Sequence, residues 1–111
     1  MKQLAEKAFK DLADMIEIVS ERFFVARKMY SMENGGLFAE KDLGSREECQ
    51  LYIKKVFDAF STLNESERNL INNEFFFQSY HNWWETIYSK ATFYRYKKNA
   101  MIKFLGAFYH D

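Results

Sequence analysis

The sequence predicts an all-α protein of about five helices, a long N-terminal helix followed by a C-terminal trihelical bundle of helix-turn-helix proportions. Three observations predict it. The 111 residues contain no Pro and only four Gly, so few positions can break a helix or form a tight turn. Apolar residues recur at spacings of three and four along most of the chain, the period of one helix face. Residues with capping chemistry, Ser45, Asn64 and Ser89, stand where that period restarts.

Residues 1–30 make the first helix. Ala5, Phe9, Leu12, Ile16, Val19, Phe23, Ala26 and Tyr30 alternate four and three as a heptad seam, and Lys7, Asp14, Glu21 and Lys28 form a charged row. Such a helix is about 45 Å long, whereas a compact chain of this size has a radius of gyration of about 13 Å. It must bend or break and fold back on its own domain, or offer the seam, residues 5–30, to a second copy as a homodimer contact. Asn34-Gly35-Gly36 ends it, and residues 31–44 connect to a second helix opened by Ser45, with Glu48 completing a capping box. Cys49, Ile53, Val56, Phe60 and Leu63 form the apolar edge of that helix, widened by Tyr52 and Phe57. Asn64 caps a third helix, with Glu67 in the answering position; Leu70, Ile71 and Phe75 turn inward before an end near Phe77. Residues 78–82 are a polar link, 83–88 a short fourth helix, and Ser89 caps a fifth that runs to about Tyr109.

This length fits one domain, residues 1–111, with 45–109 as the bundle. At 48% hydrophobic and 19% aromatic residues, the chain carries enough apolar surface for a core, which excludes a disordered chain. No apolar run has the length of a bilayer span, and the N-terminus lacks a signal peptide's apolar stretch, so a cytoplasmic protein is expected. The single Cys49 excludes an intramolecular disulfide and reads as a small buried hydrophobe. His81 and His110 are far apart, with no Cys or acid at ligand spacing, so no metal or other cofactor is expected. No nucleophile–base pair or glycine-rich phosphate loop points to an enzyme, and Glu47-Glu48 complement a helix dipole.

The charge pattern carries the functional expectation. Lys and Arg total 16 against 16 Asp and Glu, yet residues 86–110 hold five bases and no acid, while residues 1–85 hold eleven bases and fifteen acids. On the fifth helix, Phe93, Tyr96, Ala100, Phe104 and Ala107 recur at three and four and are expected inward. That leaves Lys90, Ala91, Tyr94, Arg95 and Lys98 outward near its start, where a reading helix meets base edges in the major groove. Arg95 suits a bidentate contact to guanine, and Lys90 can serve base or backbone. Lys97 and Lys98 suit phosphates, as do the hydroxyls of Ser89 and Thr92 beside the free N–H groups of the helix start. Tyr94 can pack on sugar or a thymine methyl, and Ala91 permits close approach. The bland alternative is a merely solvated face, with the chain serving as a helical interaction or assembly module. Trp83-Trp84 divides the same way, into an exposed partner anchor or, as general burial tendencies favour, one core Trp beside a partly exposed neighbour.

Leu63, Glu67-Arg68, Ile71 and Phe75, followed by the short helix and then Ser89, Thr92-Phe93-Tyr94-Arg95, Ala100 and Phe104-Leu105, resemble the helix-turn-helix of sigma factor region 4. The pattern is more similar to small phage-type late transcription regulators of the ArpU and RinA kind, over residues 50–109. The resemblance implies a sequence-specific regulator that binds double-stranded DNA and can act with RNA polymerase. Trp83, Trp84 and Ile87 stand where region 4 domains place a small residue and a turn Gly.

Overall fold

The structure, a computed structural model, describes residues 2–31, 46–78 and 80–110; of residues 2–6 and 31 only the backbone is described. It is all-α. Helix α1 spans Lys2–Ser31, α2 Arg46–Ser61, α3 Glu65–Ile71 and α4 Lys90–Phe108, and α3 runs on into one π-helical turn, Asn72–Phe76. The connector with Asn34-Gly35-Gly36 and the Ser45 cap lie outside the described residues.

Helix α1 neither breaks nor folds back. It runs its full 30 residues and packs on α2, α4 and the π turn. The molecule stretches along it instead: its extents are 48 × 30 × 23 Å and its radius of gyration is 15.7 Å, above the compact expectation. The seam is buried within the same chain. Ile16, Val19, Phe23 and Ala26 are buried, and Phe9, Leu12 and Tyr30 are half-buried against the core. The heptad-seam residues from Phe9 to Tyr30 are thus covered by the chain's own bundle, so that row is not free for the homodimer contact expected through residues 5–30. From Phe9 to Tyr30 the apolar stripe covers the chain's own bundle, because α2 and α4 together lie along its length.

One cluster joins α1 (Ile16, Val19, Phe23), α2 (Val56, Ala59), α3 and its π turn (Leu70, Ile71, Phe75, Phe76) and α4 (Phe93, Ala100, Met101, Phe104). Burying each large member stabilises the fold by roughly 1.5–3 kcal/mol. Ring edges meet ring faces through its centre: Phe60, Phe76 and Phe104 lie 5.0–5.8 Å apart. A smaller cluster holds Ala26, Met29 and Cys49, and burial, with the charge of Glu48, pushes the Cys49 thiol up from its ordinary range.

Two capped starts follow the sequence. Asn64 accepts from the Glu67 backbone N–H (2.8 Å), while Glu67 accepts from the Asn64 N–H (2.9 Å). Ser89 accepts from the Thr92 N–H (3.3 Å). Two regions depart from expectation. The third helix widens after Ile71: Phe77 N–H reaches back five residues to the Asn72 carbonyl (2.8 Å). Phe75 and Phe76, successive residues of this wider turn, are both buried in the core. The Phe75 carbonyl is taken up by Ser20 Oγ, which donates to it across 2.7 Å. The expected fourth helix is also absent, so the described α-helices number four rather than five. Residues 81–87 are consecutive hydrogen-bonded turns, with Asn82 near their start at a positive φ of 62° that a helix does not adopt.

Candidate functional site

Helix α4 divides its cations between two sides. On the inner side, Lys97 Nζ lies 2.6 Å from Glu74 Oε1, in an ion pair whose side chains keep only 15% and 19% of their exposure. The other carboxylate oxygen of Glu74 accepts from Trp83 Nε1 at 2.8 Å. The rings of Phe9, Phe75 and Phe93 surround the ammonium at 5.3–5.9 Å. Further along, Lys103, itself exposed, meets Glu67 at 2.9 Å. Burial alone would raise the Glu67 pKa; hydrogen bonds from Lys103 and from the Asn64 backbone, with the Lys103 charge, overcome it and hold the carboxyl below its usual range.

On the outer side, Lys90, Arg95 and Lys98 are exposed. Among the described residues none of them pairs with an acid; the Arg95 guanidinium lies over the Tyr96 ring at 5.4 Å. Ala91 is exposed beside them, and Tyr94 is 42% exposed, its ring held edge-on by Phe9 of α1 at 5.8 Å. Lys90, Ala91, Tyr94, Arg95 and Lys98 thus share one open face over the first turns of α4.

Three residues read as contacts from the sequence have other work in the fold. Lys97 is turned inward, which corrects its expected phosphate role: releasing it would strand Glu74 in a half-buried site. Tyr96, expected inward, is 43% exposed. The hydroxyls of Ser89 and Thr92 are joined, Ser89 Oγ donating to Thr92 Oγ1 at 2.9 Å, so they complete the cap before they can meet a phosphate.

The start of α4 is held from below. Trp84 stacks on Phe93 (4.3 Å between centroids, 6° between planes), and Trp83 meets the same ring edge-on at 6.0 Å. Both tryptophans are half-buried. A polar cleft of about 660 Å³ runs beside them, lined by Asn73, Gln78, Tyr80, His81 and Asn82 on one side and Lys90 and Tyr94 on the other. No sequence pattern singles these lining residues out, because the left-handed Asn82 turn brings them to α4. Among the described residues, no group of three His, Cys, Asp or Glu could hold a metal ion, and no helix is long and apolar enough to cross a membrane. Comparisons with protein-family models, with curated proteins and with solved structures find no match.

Proposed function

We propose that the protein binds double-stranded DNA through the outer face of α4 and regulates transcription. One observation carries this reading: Lys90, Arg95 and Lys98 project together from an acid-free helix start, whereas Lys97 and Lys103 of the same helix each meet an acid. Arg95 reads guanine, Lys98 and Lys90 hold phosphate, and Tyr94 packs on sugar. The resemblance to sigma factor region 4 and to ArpU- and RinA-like regulators supports the same reading and adds RNA polymerase as a partner, in the cytoplasm. The tryptophan-anchored turns of residues 81–87 stand in for the second helix of that motif, bracing Phe93 from beneath.

Fluorescence anisotropy with duplex DNA at two salt concentrations tests it. Two neutralised phosphates per chain, at Lys90 and Lys98, give a slope of log K against log salt of about −1.8. Arg95→Ala should relax discrimination at one base pair by about 1–3 kcal/mol. Absence of binding at low salt would leave the second reading, a helical interaction or assembly module. The exposed phenylalanines Phe24, Phe57 and Phe77 favour that alternative.

A further inference from the structure

Away from α4, three phenylalanines reach solvent in one continuous run of rings. Phe57 is 56% exposed, Phe24 37% and Phe77 58%. Phe57 packs edge-on against buried Phe23 at 5.8 Å, Phe23 against Phe24 at 5.4 Å, and Phe24 against Phe77 at 5.5 Å. Phe24 is also the ridge between two clefts. One, of about 740 Å³, is lined by Arg27, Lys28, Lys54, Tyr30, Ile53 and Phe57. The other, of about 430 Å³, is lined by Glu17, Glu21, Ser20, Phe75, Phe76 and Gln78. Lys54 is neutralised by Asp58 at 3.0 Å, and Arg27 on α1 gives the first cleft its sign. The ridge therefore separates a basic hollow from an acidic one.

We infer that this face binds a second copy of the chain in a twofold dimer centred on Phe24. The charges are self-complementary about that residue. Glu21 lies three residues before Phe24 and Arg27 three after, so they sit about 4.5 Å from it along the axis and equally far around the helix, on opposite sides. A twofold axis lying in the contact plane in front of Phe24, perpendicular to the line from Glu21 to Arg27, sets each copy's acid opposite the other copy's guanidinium. The same rotation sets the acidic cleft, with Phe77 at its rim, against the basic cleft beside Phe57. A self-complementary patch of this kind is what an isologous interface requires. An acidic peptide would match only the basic half, and a basic one only the acidic half. This face is separate from the α1 seam, which is buried in the monomer.

Sedimentation equilibrium of the full chain across micromolar to submillimolar concentrations tests the dimer. The unmodified protein should associate. Glu21→Arg and Arg27→Glu should each weaken association by roughly tenfold or more, and the two together should restore it. Phe77→Ser should weaken it comparably with an unchanged circular dichroism spectrum, since Phe77 is largely exposed. A protein that stays monomeric throughout overturns the inference. So does a dimer indifferent to Phe77→Ser and Glu21→Arg, or a double charge exchange that stays folded and fails to reassociate.

Discussion

Lys97 and Lys98 are neighbours in the chain, and α4 sends them to opposite environments. Lys97 reaches Glu74 at 2.6 Å among three phenyl rings, while Lys98 stands in solvent with no acid partner among the described residues. The difference teaches that a cluster of cations in sequence is not a cluster in space. A helix deals successive residues to different faces, so five bases become one held within the fold, Lys97, one paired at the surface, Lys103, and three that can meet a ligand.

That contrast can be broken from either side. Glu74→Ala should have the largest effect. It leaves the Lys97 ammonium and the Trp83 indole N–H half-buried without their acceptor, and urea unfolding should show a loss of about 2–3 kcal/mol. Glu74→Gln keeps an acceptor and should lose less. Lys98→Ala should leave stability within about 0.5 kcal/mol, yet lower the magnitude of the DNA salt slope by about 0.9. If Lys98→Ala destabilised as Glu74→Ala does, the division into inner and outer cations would fail.

Weaker effects sharpen the picture. Asn64→Ala should cost about 1 kcal/mol through the lost cap of α3. Because the folded state holds Glu67 below its ordinary pKa of 4.5, its contribution is present above that value and is lost as pH falls through the lowered one. In Lys103→Ala that acid dependence should shrink. At the alkaline end, burial, outweighing the Arg22 charge, pushes Tyr52 up from 10.0 to about 12. The unfolded chain then ionises first, so stability is intact below pH 10, falls between there and about 12, and is level beyond. Since Tyr52 is only half-buried, the fall should be about 1 kcal/mol, and Tyr52→Phe should flatten it.

The helices themselves were legible because period and caps agree. Asn64 with Glu67, and Ser89 with Thr92, close their helix starts as the sequence suggests. The inward rows of α1 and α4 largely follow from spacing: Ile16, Val19, Phe23 and Ala26 are buried, as are Phe93, Ala100 and Phe104. What spacing could not give was which surface covers a stripe. The α1 seam has a coiled-coil period, and only the tertiary arrangement assigns it to α2 and α4. Lys97 was misplaced because its partner sits on the π turn, and an i-to-i+5 closure has no signature in residues 72–76. With Tyr96 placed inward by its apolar character, the ammonium beside it read as outward. Residues 83–88 look helical by composition; the left-handed Asn82 gives them a different path, and that is a tertiary choice an Asn permits without demanding.

The stacking of Trp84 on Phe93 has a practical consequence. Both tryptophans of this chain lie within one ring of the first turns of α4 and nowhere else. Intrinsic emission is therefore a label already built into the spot where a ligand on that face would arrive. A shift in its wavelength or intensity on titration would report occupancy with no dye attached, and its polarity would separate tightening of the indole sandwich from its opening to water.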